Sequence, residues 1–281
     1  MKFMESPILA HTLQFESPIF PKIMGIVNVT PDSFSDGGQY NSFKNATEHA
    51  FKLIEDGADI LDIGGESTRP GAAEVSADEE IKRVVPLIEA IRRVNAEIPI
   101  SIDTTKYEVA LKSVEAGATL LNDISALKND ERIGTLAAER NLPLVLMHMQ
   151  GTPRTMQQNP QYGDVVQDVF RELLERITFA KSLGVKEIIA DVGIGFGKTV
   201  EHNWQLLKKH EEFLKLNVPL LLGISRKSFI GKSLGIDVAA ERDVATALLH
   251  SLLLKSGAAI IRVHNVKLHG QLREFFKKLH E

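Results

Sequence analysis

The sequence predicts an α/β protein folded as a single (β/α)8 TIM barrel. An apolar run of four to six residues alternates about eight times with an amphipathic stretch, and each unit takes roughly 30 residues. The apolar runs are rich in Ile, Val and Leu and carry few polar residues, which is typical of strands buried on both faces of a parallel sheet. No linker or charge block interrupts the series. An open, doubly wound sheet is the alternative that this pattern leaves possible.

The elements follow in a regular order along the chain. The predicted strands cover residues 22–29, 58–65, 98–103, 118–125, 142–149, 186–193, 218–225 and 258–264. The predicted helices cover residues 46–54, 77–94, 109–116, 133–140, 165–182, 204–214, 239–255 and 266–279. Apolar residues recur at helical spacing in these stretches, and a glycine often follows as a stop signal. We predict an N-terminal extension over residues 1–21 and one barrel domain over residues 22–281.

Composition excludes several classes of protein. The 281 residues are 43% hydrophobic and 25% charged, which is typical of a globular protein and not of a disordered or fibrous chain. The net charge of −4 gives no general attraction to nucleic acid or to an anionic membrane, so we expect neither partner. The absence of cysteine excludes disulfides, thiolate zinc sites and cysteine nucleophiles. No apolar run reaches the ~18 residues of a membrane span, and we expect a cytoplasmic protein.

Nearly every predicted strand ends in a side chain that can do chemistry. In chain order these are Asn28, Asp62 with Glu66, Asp103, Asn122 with Asp123, His148, Asp191, Ser225 with Arg226 and Lys227, and Arg262 with His264. In a barrel the carboxyl ends of the strands form the mouth, where active sites are built. A single acid at such a position is more often a helix cap. Caps do not explain Lys, Arg and His at the ends of several strands.

The residue types suggest a planar ligand that carries an anion. Amide and carboxylate groups can pair with the ring nitrogens, amine and carbonyl of a flat heterocycle, and Asn28, Asp103, Asn122 and Asp191 supply them. Lys227 adds a donor. Arg262 and His264 are two residues apart on one strand, so they point the same way and suit a phosphate. For His264 alone, a purely structural role stays possible.

Three loops stand out from ordinary connections. Residues 30–38, TPDSFSDGG, are rich in hydroxyl groups and are a candidate lid. Residues 64–71, GGESTRPG, offer a hydroxyl, a guanidinium and a rigid apolar surface. Residues 193–198, GIGFGK, resemble a phosphate-binding loop but lack the Walker spacing. Their glycines are better explained by close approach of the backbone to a planar ligand.

Ordered motifs along the chain resemble those of the dihydropteroate synthase family. They are MGIVNVTPDSFSDGG (24–38), DIGGESTRPGA (62–72), SIDT (101–104), NDIS (122–125), MHMQGTP (147–153), GIGFGKT (193–199), SRKSFIG (225–231) and RVHNV (262–266). The resemblance covers the chain from about residue 22. It implies a barrel transferase that joins 6-hydroxymethyl-7,8-dihydropterin pyrophosphate to p-aminobenzoate, releases pyrophosphate and is inhibited by sulfonamides. It also implies a homodimer.

The resemblance assigns the site residues to three regions and one metal. The pterin pocket would comprise Asp103, Asn122, Asp191 and Lys227, lined by Met147, Gly195 and Phe196. The pyrophosphate region would comprise Asn28, Asp36, Arg262 and His264, with Mg²⁺ on Asn28. The p-aminobenzoate region would comprise Phe34, Thr68, Arg69, Pro70 and Ser225. The catalytic residues would be Asp103, Lys227, Arg262 and His264, in a dissociative reaction in which Asp103 stabilises a pterin cation.

The chain departs from the family pattern at three positions. Val192 stands where proline is usual, Asn265 where aspartate is usual, and Thr105 where tyrosine is common. Because Val192 follows Asp191, we expect a change in local backbone stiffness. We expect Asn265 to weaken a contact to His264 or Arg262.

Three rival functions share part of the pattern. A pterin-dependent methyltransferase barrel would share the pterin pocket but needs neither of the first two loops nor the Arg262 and His264 pair. A Schiff-base aldolase could use Lys227, whose pKa Arg226 could lower, but the loops argue against it. A pterin-binding protein without turnover is the non-enzyme alternative, although every matched site residue is present.

Overall fold

Eight parallel strands close into a barrel in the computed structural model, which describes residues 20–29, 38–69 and 71–280. The strands are β1 (Lys22–Asn28), β2 (Ile60–Gly64), β3 (Ile100–Asp103), β4 (Leu120–Asp123), β5 (Leu144–Met147), β6 (Ile188–Asp191), β7 (Leu220–Leu222) and β8 (Ala258–Val263). They pair in sequence order, and β8 pairs with β1. The (β/α)8 prediction is therefore confirmed, and the open doubly wound sheet is wrong.

Helices surround the barrel. The helices of the described residues are α1 (Gly38–Glu55), α2 (Ala77–Val94), α3 (Tyr107–Ala116), α4 (Arg132–Arg140), α5 (Val165–Ser182), α6 (Val200–Lys208), α7 (Ser228–Leu234), α8 (Asp243–Leu252) and α9 (Val266–His280). Residues 1–19 of the predicted N-terminal extension lie outside the described residues, so the extension and its boundary stay predictions. No helix of the described part combines the length and apolarity that a membrane crossing needs.

Some helix bounds differ from the sequence prediction, for local reasons. Helix α6 begins four residues early because Thr199 and His202 form a capping box at its start. The predicted helix 239–255 is instead a 3-10 turn, Ala239–Arg242, followed by α8. Helix α7 was not predicted. It is only seven residues long, and it begins inside the motif SRKSFIG (225–231), which the sequence analysis attributed to the site.

The barrel interior fixes where the site lies. One interior layer consists of buried apolar side chains from seven strands: Met24, Ile60, Leu120, Val145, Ile189, Leu221 and Ile260. A separate apolar cluster fills the space between the strands and the helices. Side chains two residues apart on a strand face the same side. The residues two positions after this layer therefore also face the barrel axis, nearer the carboxyl ends of the strands.

Candidate active site

The layer above the apolar interior is largely polar. Five strands carry a residue of this layer two positions after their residue in the apolar interior layer. These residues are Asp62 on β2, Asn122 on β4, Met147 on β5, Asp191 on β6 and Arg262 on β8. Asp103 ends β3, two residues after the buried Ser101. The strand alternation thus brings the carboxylates, amide and guanidinium of five strands to one end of the barrel, as predicted.

Arg262 ties two of these carboxylates together. Its Nε donates to Asp62 Oδ2 at 2.6 Å, and its Nη2 donates to Asp103 Oδ2 at 2.9 Å. Asn122 Nδ2 lies 3.3 Å from both oxygens of Asp62. Asp62 is fully buried. The sequence argument placed Asp62 at a strand end but gave it no role, although its position two residues after Ile60 would have put it in this layer.

Burial shifts the titration of the acids in this layer. Desolvation, reinforced by the charge of Asp62, raises the pKa of Asp103 to about 7 against the opposing pull of Arg262. Desolvation also raises the pKa of Asp191. The backbone N–H of Gly193 donates to Asp191 Oδ1 at 2.7 Å, and this hydrogen bond partly opposes the increase in pKa. The second oxygen of Asp191 lies 3.5 Å from the point that a Cβ on Gly223 would occupy, so the absence of a side chain there leaves it uncovered.

Lys227 lies against the loop that follows β6. Its Nζ is 3.9 Å from the ring centroid of Phe196, a cation–π distance. A Cβ on Gly195 would lie 3.0 Å from Lys227 Cδ, so glycine lets the lysine stem pack on the backbone. Desolvation and the charge of Arg262 lower the pKa of Lys227 to about 8. The structure thus brings Gly195, Phe196 and Lys227 together, as the pterin assignment requires.

An apolar wall completes this side of the mouth. Ile124, Met147, Met149, Met156 and Phe196 form one buried cluster. The sequence argument named Met147 and Phe196 for the lining and missed the other three. Because Ile124 and Met149 follow Asn122 and Met147 by two residues, the same alternation could have found them.

His264 and Ser225 lie one layer further out. Ser225 Oγ is 2.9 Å from His264 Nδ1, and the His264 backbone N–H donates to Ser225 Oγ at 3.1 Å. Desolvation and the charges of Arg226 and Arg262 lower the pKa of His264 to about 3, so its ring is neutral near pH 7. In this structure Ser225, assigned above to the p-aminobenzoate region, is a partner of His264.

Asn28 faces the same outer layer from the end of β1. Its Oδ1 and Asp103 Oδ2 each lie 3.8 Å from the point that a Cβ on Gly64 would occupy. The described residues contain no cluster of three or more His, Asp or Glu side chains arranged for a metal.

The two loops nearest the mouth are described only in part. Phe34 and Asp36 of the first loop, and Pro70 of the second, lie outside the described residues. Thr68 is half-buried and lines a cavity of about 230 Å³ that reaches Asp103. Arg69 is exposed and forms no ion pair with a described residue.

The three residues that depart from the family pattern have different local surroundings. Val192 is fully buried among the residues packed outside the strands, and the Asp191 to Gly193 hydrogen bond beside it is present. Among the described residues, the side chain of Asn265 bonds to Asp243 and not to His264 or Arg262, to which we expected a contact. Its Nδ2 donates to Asp243 Oδ2 at 3.0 Å, and an aspartate there would place two carboxylates together. Thr105 Oγ1 accepts from Asn129 Nδ2 at 3.2 Å.

Lys198, the lysine of the apparent phosphate loop, is directed into the protein. Its Nζ donates to the carbonyl of Phe196 at 2.9 Å and lies 2.9 Å from His148 Nδ1. His148 Nε2 in turn lies 3.3 Å from Glu172. Desolvation lowers the pKa of Lys198 to about 7 and that of His148 to about 4. The lysine therefore joins two loops of the mouth, and the phosphate-loop alternative has no support from this geometry.

Comparisons with known proteins agree with this arrangement. Residues 24–264 match the family described as "Pterin binding enzyme". The dihydropteroate synthase of Escherichia coli strain K12 is 48% identical over 249 residues, covering 88% of this chain and 87% of that protein. The chain belongs to the dihydropteroate synthase family. As a member of that family it is an enzyme, a transferase.

Solved structures of family members share the whole architecture. A Xanthomonas albilineans dihydropteroate synthase with 4-aminobenzoic acid has a TM-score of 0.87 at 42% identity and covers 93% of both chains. A Yersinia pestis dihydropteroate synthase with a sulfonamide drug has a TM-score of 0.86 at 42% identity, covering 93% of this chain and 94% of the other. Because both structures are 42% identical to this chain in sequence, their similarity supports membership of the family as well as the shared fold.

Proposed function

We propose that the protein condenses 6-hydroxymethyl-7,8-dihydropterin pyrophosphate with p-aminobenzoate to give 7,8-dihydropteroate and pyrophosphate. The observation that carries the proposal is the polar layer inside the barrel, where Asn122 and Asp191 lie at the same level as Met147. Met147 packs in one cluster with Phe196, and Lys227 lies over the Phe196 ring. A flat, apolar-faced heterocycle with amine and carbonyl edges fits this arrangement. Membership of a pterin binding family supports a pterin as that heterocycle.

Asp103 is proposed to stabilise a cationic pterin after pyrophosphate has left. Departure of pyrophosphate breaks the carbon–oxygen bond and leaves positive charge on the exocyclic methylene, and the aromatic amine then attacks this carbon and loses a proton. Among the described residues of the polar layer, once Asp103 is ionised, the three carboxylates of Asp62, Asp103 and Asp191 face two cationic side chains, Arg262 and Lys227. A buried site with this excess of negative charge favours a cation, because preorganised charges act strongly in a dry environment.

The departing pyrophosphate is proposed to lie at the outer layer beside Arg262 and His264. Arg262 already binds two carboxylates, so its guanidinium can exchange one of them for a phosphate oxygen. Neutral His264 can donate one hydrogen bond while Ser225 holds its other nitrogen. Asn28 fits Mg²⁺ because its amide oxygen is a hard ligand, and this cation keeps waters and takes phosphate oxygens. Bound there, Mg²⁺ would supply positive charge that balances the pyrophosphate.

The amine substrate is proposed to approach over the loop after β2. Exposed Arg69 offers a guanidinium for the carboxylate of p-aminobenzoate, and Thr68 lines the adjoining cavity. A related structure contains 4-aminobenzoic acid and another contains a sulfonamide drug. We propose that sulfonamides bind this protein at the p-aminobenzoate region.

Product formation tests the proposed function. The protein is incubated with the pterin pyrophosphate, Mg²⁺ and p-aminobenzoate, and dihydropteroate and pyrophosphate are quantified. We expect both products in equal amounts, and no dihydropteroate when p-aminobenzoate is omitted. Pterin affinity without either product would contradict the proposal and favour the pterin-binding protein without turnover.

We also propose a homodimer that works in the cytoplasm. Helix α8 exposes three apolar side chains at helical spacing, Val244, Leu248 and Leu252, each more than half exposed. A second copy of this surface would bury them. The lack of cysteine fits a reducing compartment. Analytical ultracentrifugation of the wild type and Leu248→Glu tests the dimer, and a monomeric wild type at micromolar concentration would contradict it.

A further inference from the structure

A partly buried ion-pair cluster lies at the base of the loop after β2. Lys106 Nζ donates to Glu66 Oε2 at 2.5 Å and to Glu80 Oε2 at 2.6 Å. Glu66 begins the loop, and its other oxygen, Oε1, accepts from the backbone N–H of Val75 at 2.9 Å. One carboxylate thus joins the two ends of the loop to each other and to Lys106.

The other partners of this cluster are fixed to rigid elements. Glu80 lies in the first turn of α2 and is fully buried. Lys106 is the residue before α3, three positions after Asp103. Arg83 of α2 adds a hydrogen bond from Nη1 to the carbonyl of Gly65 at 2.9 Å. The loop is therefore anchored through Glu66 and Gly65 to two helices.

We propose that Lys106 is a positioning residue that holds the loop carrying Thr68 and Arg69 in place for the amine substrate. This inference rests on the proposed function, because it assigns that loop to p-aminobenzoate. Arg69 lies three residues after Glu66 on this loop, so the contacts that anchor Glu66 set where the Arg69 backbone leaves the barrel. Lys106 and Glu66 also line the cavity between Thr68 and Asp103.

The electrostatics make Lys106 the centre of the cluster. Burial alone would lower its pKa, but hydrogen bonds and charges from Glu66 and Glu80 outweigh burial and raise it. Desolvation raises the pKa of Glu80. Without the lysine, two carboxylates would be left close together with one of them buried, which is unfavourable. Glu66 is half-exposed, and it would be the group that moves, taking the loop with it.

Steady-state kinetics with both substrates varied tests the proposal. We compare the wild type with Lys106→Met, Lys106→Arg and Glu66→Gln, the last of which removes only the loop side of the ion pair. The control is Lys112→Met on α3, whose exposed pair with Glu115 lies outside the cluster. The dissociation constant of 6-hydroxymethylpterin, measured by calorimetry, reports the pterin pocket separately.

We expect Lys106→Met and Glu66→Gln to raise KM for p-aminobenzoate about tenfold or more, since a charged hydrogen bond is lost. Pterin affinity should stay within about twofold, Lys106→Arg should restore most of the KM, and Lys112→Met should behave as wild type. Should Lys106→Met not fold, Glu66→Gln decides alone. An unchanged KM in Glu66→Gln, or a matching loss of pterin affinity, overturns the proposal. A wild type without product overturns the proposed function instead.

Discussion

Replacing Asp191 by asparagine tests the proposal that this buried acid binds the pterin ring. One oxygen of Asp191 already accepts from the Gly193 N–H at 2.7 Å, and the other is left uncovered at Gly223. The residue is only 7% exposed, so a hydrogen bond that it makes lies in a largely dry environment. In the variant the amide oxygen would keep the bond to Gly193, and the NH₂ group would then face donors of the pterin ring.

The expected loss follows from this mismatch. A hydrogen bond to a charged group is worth about 1.5–3 kcal/mol, and a buried donor left without an acceptor costs about 1–3 kcal/mol more. Because the ligand can shift to relieve part of the clash, we expect a total of about 2–4 kcal/mol. That corresponds to a dissociation constant raised roughly 30- to 900-fold.

Calorimetry with 6-hydroxymethylpterin measures the effect. Asp123→Asn is the matched control, because Asp123 is equally buried at the end of β4 but faces the turn, where it accepts from Ser125 and Leu127. The control should keep pterin affinity even if its melting temperature falls. An unchanged dissociation constant in a folded Asp191→Asn protein would remove this residue from the pocket.

Three further outcomes follow from the geometry. Because only ionised Asp103 stabilises a cation and burial raises its pKa in the free enzyme to about 7, log(kcat/KM) should rise with pH up to about 7. A pH-rate profile flat between pH 5 and 8 would contradict this role. Arg69→Ala should raise KM for p-aminobenzoate about tenfold with little change in pterin affinity, and an unchanged KM would place the carboxylate elsewhere. Lys198→Met removes the bond to the Phe196 carbonyl and should weaken pterin binding at least about fivefold while p-aminobenzoate KM stays near wild type; equal affinity by calorimetry would show that Phe196 is held without it.

The architecture was predictable because its signal is repeated along the whole chain. Apolar strands such as residues 142–149 have the same character as their neighbours, and closure of eight of them follows from the unit count. The placement of Asp103, Asn122, Asp191 and Arg262 at one end followed from strand direction alone. Helix starts were less accessible, since the Thr199 and His202 capping box depends on two side chains meeting in space.

The partners of the site residues were harder to predict. The sequence places Arg262 and Asp62 200 residues apart, and only closure of β8 on β1 brings them within 2.6 Å. The sequence argument set the phosphate-loop alternative for residues 193–198 aside but gave Lys198 no role, because the burial of this lysine depends on backbone packing. Gly193 has φ +67°, and a Cβ there would lie 1.8 Å from the His148 carbonyl oxygen, so the two loops meet closely enough for Lys198 to bridge them. No spacing in the sequence encodes that contact.

Positional isotope exchange in the pterin pyrophosphate, without p-aminobenzoate, tests the cation account most directly. If pyrophosphate leaves before the amine attacks, the bridging and non-bridging oxygens exchange during repeated departure and return. We predict exchange in the wild type, retention in Arg69→Ala, and suppression by about 10²–10³ in Asp103→Asn, since one preorganised charge is lost. Exchange at the wild-type rate in Asp103→Asn, or none in a wild type that makes dihydropteroate, would contradict the account.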